Sequence, residues 1–254
     1  MKNDAYLFNS VRNPLTPSEM QWIYSHDGSS TPEDVTDPRV TKVRMLFTKL
    51  PSKLKILDVG CANGAILQSF RSKHELHGVD ISECLIKAAN KNGFIAKVHD
   101  LSNDQLPYED GIFDVVFSGE TIEHQIDTDW FLLELNRVLK PGGKLILTFP
   151  NIRTLLGIAM MLFDMPPMYS SRYRHPHFRD FTLRYIKLAL ARHGFSHEKS
   201  IGSTFYLPKI GQCCSSLATF FPSWSQTTIV VAKKIENSKY TPMDLITDNN
   251  FFTK

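Results

Sequence analysis

The chain has 254 residues, which is enough for one large domain with a buried core. Hydrophobic residues make up 42% of it and charged residues 22%, and the net charge of +3 is too small to indicate a nucleic-acid partner. No run of about 18 apolar residues predicts a transmembrane helix, and the N-terminus lacks the apolar core of a secretory signal.

The predicted elements begin after an irregular lead-in. Residues 1–38 are polar and rich in proline, and only a short helix near Ser18–Ser25 is expected there. Residues 39–50 place apolar groups at helical spacing. After them, short apolar runs alternate with helical segments, which predicts an α/β fold with a doubly wound, mostly parallel sheet and helices on both faces. We expect one domain over residues 39–235 and a loose polar tail over residues 236–254.

Strands and helices alternate along this domain. The predicted strands are Lys55–Val59, Glu75–Asp80, Ile95–Asp100, Phe113–Ser118, Lys144–Phe149 and Thr227–Lys233. The predicted helices are residues 39–50, Ala65–Lys73, Ser82–Asn92, Thr128–Lys140 and Leu183–Arg192. In such sheets ligands bind at the carboxyl ends of the strands, near the switch in strand order, so the residues that follow the strands are the candidates for a site.

The loop after the first strand is suited to close approach of a ligand. It reads DVGCANG, and Gly60 and Gly64 flank Ala62. Glycines at a strand-to-helix turn allow a ligand to lie against the main chain. The spacing DxGxAxG does not fit the GxGxxG dinucleotide fingerprint, and no GK[ST] follows to form a phosphate-cradling loop. A tight turn that binds nothing is the alternative.

Acids stand at the ends of the next two strands. Asp80 would take both hydroxyls of a ribose through its two oxygens, or would cap the helix that starts near Ser82. Asp100 would accept from an exocyclic amine, or would cap a turn. With Asp58 they make three acids at successive strand ends. This arrangement predicts a ligand that carries hydroxyls and amines, since acids would repel a pyrophosphate.

With these motifs the chain resembles the class I S-adenosylmethionine-dependent methyltransferases, in their broad group of small-molecule and lipid-precursor enzymes. The strings that carry the resemblance are ILDVGCANG, GVDIS, HDLSNDQLPYEDGIFDVVFSGETIEH, LNRVLKPGGKLILTFPN and HFRDFTLRYIKLALARHGF, and they cover about residues 40–235. The resemblance implies a seven-stranded, Rossmann-like sheet and S-adenosylmethionine as the cofactor.

The resemblance also assigns roles to single residues. The glycine loop would face the methionine portion, Asp80 would hold the ribose, and Asp100 with Leu101 would meet the adenine. Ala62 departs from the family, which usually has glycine there, and we expect alanine to be tolerated if its φ is negative. The cofactor residues predicted in this way are Asp58, Gly60, Cys61, Ala62, Gly64, Asp80, Ile81, Asp100, Leu101 and Ser118.

The stretch SGETIEH after the fourth strand carries candidate catalytic groups. Glu120 and His124 would share a face if this segment were helical. A histidine has an ordinary pKa suited to a general base, so the catalytic candidates are Glu120, His124 and the distant His177. In the alternative without a catalytic role, Glu123 and His124 only cap and orient the loop.

The same neighbourhood offers ligands for a divalent metal ion. Two glutamates and two histidines form a credible set, namely Glu120, Glu123, His124 and His177. The pattern looks like that of small-RNA 3′-end ribose methyltransferases and of some quinone-biosynthesis O-methyltransferases, which use a divalent metal. A metal therefore stays open beside an acid–base or positioning role.

An apolar insert over residues 152–176 follows the fifth strand. Its segment Thr154–Met168 is apolar nearly all round but too short to span a bilayer, so it predicts a helix buried under the sheet edge or a lid over the acceptor. Cys213–Trp224, also apolar and aromatic, would complete that pocket. Three arginines nearby would engage an anionic acceptor or face solvent, namely Arg172, Arg174 and Arg179.

Three functions stay open on the sequence. The first is a methyltransferase that acts on a small, partly apolar acceptor, at oxygen by family analogy. The second is a metal-assisted RNA ribose methyltransferase, against which the small net charge and the absence of a Lys/Arg-rich tract argue. The third is a cofactor-binding fold that serves as an assembly or regulatory partner without turnover.

Four cysteines bear on the location of the protein. Cys61, Cys84, Cys213 and Cys214 have neither the number nor the spacing of a disulfide framework or of a CxxC zinc site. A reducing cytoplasm is therefore the expected location. A peripheral contact with a membrane stays open, and the sequence does not set the acceptor or the oligomeric state.

Overall fold

The computed structural model describes residues 36–101, 104–167, 177–207 and 209–238. The lead-in helix predicted near Ser18–Ser25, the end of the insert and most of the tail lie outside these ranges. The strands are β1 Lys55–Val59, β2 Glu75–Asp80, β3 Ile95–Val98, β4 Phe113–Gly119, β5 Leu139–Pro150, β6 Phe195–Gly202, β7 Phe205–Leu207, β8 Gly211–Cys213 and β9 Thr227–Lys234. The α-helices are α1 Pro38–Thr48, α2 Glu83–Lys91, α3 Thr128–Val138, α4 Leu155–Leu162, α5 Leu183–Arg192 and α6 Ser215–Ala218.

Seven strands form one sheet in the order β3-β2-β1-β4-β5-β9-β6. The strands from β3 to β5 are parallel, whereas β9 runs antiparallel to both of its neighbours. The strand order reverses between β1 and β4, which sets the switch point where a ligand crevice opens. The doubly wound, mostly parallel sheet expected from the sequence is confirmed.

Helices cover both faces of this sheet. Successive residues of β1 point to opposite faces, so Ile56 packs with the side chains of α1 and α2 while Leu57 packs with those of α3 and α5. Burial of each such side chain contributes about 1.5–3 kcal/mol, and the two apolar layers hold the switch point rigid from both sides.

The predicted helix Ala65–Lys73 is wrong. The structure has only a 3₁₀ turn over Gln68–Phe70. The reason is that Arg44 takes the carbonyls a helix would need: its Nη2 donates to the Ala65 oxygen at 2.7 Å and its Nε donates to the Ile66 oxygen at 2.9 Å. The chain is therefore wound as short turns beside the glycine loop.

Two other expectations change at the edges of elements. The helix predicted to run to Lys140 ends at Val138, because the backbone of Leu139 is already extended and begins β5. The tail is not loose at its start, because the Asn136 side chain holds it. Asn136 donates through Nδ2 to the Glu236 carbonyl at 3.1 Å, and it accepts through Oδ1 from the Ser238 N–H at 3.2 Å.

The apolar insert forms α4, and this helix is not buried. Gly157 is its one buried residue, which rules out a helix enclosed under the sheet edge. Within the described ranges, every helix is too short or too polar to cross a bilayer.

Candidate functional site

The glycine loop is held closely against β2. The N–H groups of Gly60 and Cys61 both donate to the Val79 carbonyl, at 2.9 and 3.0 Å. Gly60 has φ +76°, and a Cβ there would collide with the side chain of Thr121. Gly64 has φ +75°, and a Cβ there would lie 2.6 Å from the Phe94 ring. Both glycines are therefore required by conformation and by space.

Ala62 lies between them in the left-handed region, with φ +46°. The condition of a negative φ at Ala62, under which alanine was expected to be tolerated, is not met. Its N–H donates to Asp80 Oδ2 at 2.9 Å, so the loop needs this conformation in order to reach β2. An alanine there costs roughly 1–2 kcal/mol that a glycine would not.

Asp80 braces the loop and does not cap α2. Its Oδ1 accepts from the Ser82 N–H at 2.9 Å, while Ser82 itself is the N-cap and accepts from the Leu85 N–H through Oγ. Burial raises the pKa of Asp80, and the N–H groups of Ser82, Ala62 and Ile81 oppose that rise. Each carboxylate oxygen keeps acceptor capacity, so a role toward ribose hydroxyls stays a prediction.

A small cleft opens beside the loop at the switch point. Cys61 lies in it as a neutral thiol, since burial and then the charges of Asp58 and Asp80 raise its pKa well above the ordinary value. The lining residues are Asp58, Gly60, Cys61, Ala62, Asn63, Ala65, Ile66, Phe117 and Gly119. A ligand in this cleft would lie against main chain and small side chains.

The other predicted cofactor residues lie away from the cleft lining. Ser118 is fully buried within β4, and its neighbour Gly119 is the residue that reaches the cleft. Asp100 and Leu101 follow the end of β3, and Leu101 packs against the core. Their contact with a cofactor stays a prediction.

Glu120 turns toward β5. Its φ is +51°, and its N–H donates to the carbonyl and to Oγ1 of Thr148 at 3.2 and 3.1 Å. Thr148 Oγ1 donates back to Glu120 Oε1 at 2.9 Å. A 3₁₀ turn over Ile122–His124 follows, so the shared helical face expected for Glu120 and His124 does not form.

Glu123, His124 and His177 come together, although 53 positions separate the two histidines. One potential ligand atom from each lies within 4.8 Å of the others, and Glu120 is not in this group. The imidazole rings stand edge to face with centroids 4.9 Å apart. The Glu123 carbonyl accepts from the N–H groups of Phe178 and Arg179, at 2.9 and 3.2 Å, and this pairing carries His177 to the turn.

Glu123 is the most unusual group of the cluster. It is 1% exposed, and among the described residues neither of its carboxylate oxygens has a hydrogen-bond partner. Burial, and then the charge of Glu120, raise its pKa well above the ordinary value, while the cation of Arg39 opposes the rise. A buried acid whose oxygens lack hydrogen-bond partners is typical of a site that binds a metal or handles a proton.

Arg39 is a site residue that the motifs did not indicate. It is buried on α1, and its Nη1 lies 3.4 Å from the position that a Cβ on Gly119 would occupy. A signal was present, because Arg39 stands four positions before Val43 on the apolar face of the predicted helix. A cation on a buried helical face indicates a polar partner in the interior.

Not every predicted site residue can be placed. Arg172 and Arg174 lie outside the described residues. Arg179 is exposed and donates through Nη2 to the Ile126 carbonyl at 2.9 Å. The structure therefore ties one of these three arginines to the main chain.

Comparison with known proteins identifies relatives of the central region. Residues 57–147 match the family model described as a methyltransferase domain. The chain is 34% identical over 148 residues to 27-O-demethylrifamycin SV methyltransferase of Amycolatopsis mediterranei, over 55% of this chain and 54% of that protein. It is 32% identical over 115 residues to a ubiquinone biosynthesis O-methyltransferase of Maricaulis maris, over 43% of this chain and 45% of that protein. The chain thus spans about half the length of the curated relatives it matches.

Solved structures share the fold at low identity. A Thermotoga maritima protein described as a SAM-dependent methyltransferase, possible histamine N-methyltransferase, superposes with a TM-score of 0.62 at 19% identity over 85% of this chain and all of that one. The [4+2]-cyclase SpnF superposes with a TM-score of 0.61 at 18% identity, over 87% of this chain and 97% of that one. These likenesses concern the fold alone.

Proposed function

We propose that this chain, whose residues 57–147 match a methyltransferase domain, is a class I S-adenosylmethionine-dependent methyltransferase that transfers a methyl group to an oxygen of a small, partly apolar acceptor. One observation carries the proposal: the glycine loop, the cleft and Asp80 meet at the switch point, where they suit a ligand with hydroxyls and an amino-acid portion. The oxygen preference is supported by relatives whose names specify O-methylation.

The cofactor needs little chemical activation. Bound S-adenosylmethionine supplies a methyl group on a positively charged sulfur, which is a strong electrophile. The residues of the chain then chiefly align an acceptor with that methyl group and exclude other orientations. We propose that the loop from Gly60 to Gly64 holds the methionine portion and that Asp80 holds the ribose.

We propose that His124 accepts the proton of the acceptor hydroxyl. His177 lies edge to face against its ring, and Glu123 approaches its Nε2 at 4.0 Å. These two neighbours would fix the orientation of the His124 ring, which a general base requires. Glu120, turned to Thr148, would position the loop that carries His124.

A second candidate is a metal-assisted reaction at the same cluster. It is favoured by the buried Glu123 carboxyl, whose oxygens accept no hydrogen bond from the described residues, and by the three ligand atoms within 4.8 Å of one another. One oxygen and two imidazole nitrogens fit a divalent transition ion, which would polarise the acceptor oxygen. The small net charge gives no support to an RNA acceptor.

The decisive experiment separates cofactor binding from turnover. Calorimetry would measure S-adenosylmethionine binding, and labelled cofactor would screen methyl transfer to phenols, quinone precursors, sugars and RNA. We expect His124→Ala to lower turnover at least 100-fold while the cofactor Kd changes less than about twofold. His197→Ala on β6 is the matched control and should retain full activity.

Three outcomes would change the proposal. Failure of the wild-type chain to bind S-adenosylmethionine would exclude methyltransferase activity and favour an assembly or regulatory role. Near-normal turnover in His124→Ala would remove His124 from the chemistry. Binding heat on titration of Mn²⁺ or Zn²⁺ into the wild-type chain but not into Glu123→Gln, with no acceptor present, would favour the metal-assisted reaction.

We also propose that the reaction takes place in the cytoplasm. The four cysteines, all within the described ranges, are free thiols, which suits a reducing compartment. Fractionation of cells that express the tagged chain would test this location.

A further inference from the structure

The large apolar side chains that remain exposed are concentrated on two segments. Among the described residues there are eighteen such side chains, and eleven of them lie within residues 155–165 and 207–224. We call these eleven the apolar surface, and they are Leu155, Met161, Leu162, Phe163, Met165, Leu207, Ile210, Leu217, Phe220, Phe221 and Trp224. Patches of this kind mark interaction sites on proteins that otherwise bury their apolar groups.

The two segments are joined and firmly held. Helix α4 packs against β7. Just before α4, the buried Asn151 donates through Nδ2 to the carbonyls of Ser223 and Ser225, at 3.0 and 3.1 Å. Lys42 Nζ ties the second segment to α1, since it donates to the Ser215 carbonyl at 2.6 Å. The apolar surface is therefore built into the fold.

The most exposed members of the surface protrude. The exposed fractions are 80% for Leu162, 76% for Phe163, 78% for Phe220 and 69% for Ile210, and they exceed those of all other exposed large apolar side chains in the described ranges. A rigid protein partner would need a matching hollow for each of these side chains. A fluid bilayer has no fixed shape, so it accepts protruding groups without complementarity.

The two segments carry a small excess of positive charge, which suits an anionic surface. Residues 151–167 and 203–226 contain two cations and one acid, namely Arg153, Lys209 and Asp164. Lys209 directly precedes the protruding Ile210 at the turn between β7 and β8. A cation beside apolar side chains is the arrangement that attracts a protein to negatively charged lipid headgroups.

An aromatic pair completes the resemblance to an interfacial surface. The rings of Phe221 and Trp224 stack with centroids 5.7 Å apart and an interplanar angle of 4°. Tryptophan is enriched at the level of lipid headgroups, because its ring is apolar and its indole N–H is a donor.

We propose that the apolar surface docks this protein peripherally on an anionic phospholipid bilayer. The docking does not depend on the methyl-transfer reaction. Because α4 starts five positions after the carboxyl end of β5, the docked surface adjoins the edge of the sheet that carries the candidate site. Single protruding side chains would enter the lipid while the sheet stays in water.

The test uses the full chain and sedimentation with vesicles. Vesicles of phosphatidylcholine alone are compared with vesicles that also contain phosphatidylglycerol. We expect preferential binding to the second kind and about a tenfold lower partition coefficient for Phe220→Ser or for Phe163→Ser. Lys209→Gln should remove part of the dependence on phosphatidylglycerol. Ile235 is 64% exposed and lies outside the apolar surface, so Ile235→Ser should leave the partition coefficient unchanged.

Two results would overturn the proposal. One is an absence of vesicle binding by the wild-type chain, or an equal loss in Ile235→Ser. The other is a concentration-dependent dimer in sedimentation velocity that Phe220→Ser abolishes while vesicles bind nothing, because the surface would then join two copies. Circular dichroism and S-adenosylmethionine binding of each variant would show that it is folded.

Discussion

At the scale of single residues, Ala62 holds the glycine loop in a conformation that suits glycine better. Its φ is +46°, and its N–H must face Asp80. We expect Ala62→Gly to raise the free energy of unfolding by about 0.5–1 kcal/mol, because relief of the left-handed strain exceeds the extra entropy of glycine in the unfolded chain. The melting temperature should rise by roughly 1–4 °C.

The matched control is the neighbouring Ala65→Gly. Ala65 is buried and does not have a positive φ, so glycine there should destabilise the chain by about 1 kcal/mol. Calorimetric unfolding of both variants gives the comparison. Equal losses in the two variants would show that the left-handed conformation of Ala62 carries no strain.

Glu123 is expected to weaken the fold at neutral pH. Its folded pKa lies above the unfolded value of about 4.3, so the folded chain binds the proton more tightly. The stability associated with this group is fully present below about pH 4.3 and is lost as pH rises through the folded pKa, at about 1.4 kcal/mol per pH unit within that window. Glu123→Gln should remove this slope and be more stable than the wild type at pH 8.

Glu134 provides the opposite case for comparison. It is equally buried, but its carboxylate accepts from the Leu106 N–H and from two nitrogens of Arg137. Glu134→Gln should therefore cost about 2–4 kcal/mol. Urea unfolding across pH 5–8 would separate the two glutamates. A Glu123→Gln variant that loses as much stability as Glu134→Gln would show that the Glu123 carboxyl has stabilising hydrogen bonds.

Among single residues, the sequence allowed prediction only of those that belong to short local motifs. The glycine loop, Asp80 and the Glu-His stretch were visible because each is a short string with a spacing of its own. The φ of Ala62 was not, because it is set by a hydrogen bond to a residue 18 positions away. Arg39 was missed because only the packing of α1 brings it to Gly119.

At the scale of elements, Lys42 joins the first helix to the hairpin that follows β6. Its Nζ donates to the carbonyls of Gly202, Ser203 and Ser215, at 2.7, 2.7 and 2.6 Å. We expect Lys42→Met to cost on the order of 3 kcal/mol, because three part-buried carbonyls lose their donor. Amide hydrogen exchange should accelerate across residues 203–224.

The exposed Lys49 near the end of the same helix is the control for this change. Lys49→Met should leave both stability and exchange within about 0.5 kcal/mol of the wild type. Unchanged exchange in Lys42→Met would mean that the hairpin is held without this lysine.

Elements with strong periodicity were predicted well. Helix α5, with Thr182 as its N-cap, and the five parallel strands follow from apolar spacing and caps. The turns after Gly64 and the hairpin β7–β8 could not be predicted in this way. Side chains of α1 bond to carbonyls in those turns and to carbonyls on both sides of the hairpin, and the sequence does not show these distant contacts. The exposure of α4 could not be predicted from the sequence either, because an apolar segment normally indicates burial.

At the scale of the whole molecule, the alternation of strands and helices was sufficient to predict the sheet, because right-handed crossovers leave few arrangements open. The position of β9 was not predictable from alternation. It inserts between β5 and β6 and pairs antiparallel with both. The glycine loop, Asp80 and Glu123 lie at the ends of parallel strands, so the sequence could predict that they share one edge of the sheet. His177 and Arg39 reach that region only through packing, which the sequence does not show.

The insertion of β9 between β5 and β6 has a consequence for folding during synthesis on the ribosome. All strands of the parallel part are made by Pro150, but the partner of β5 ends only at Lys234. Translation of the intervening 84 residues takes roughly 4–17 s at about 5–20 residues per second. During that interval the long edge of β5 emerges without its neighbour. The chain is then most open to pairing with a foreign strand, and a chaperone would be of most use to it.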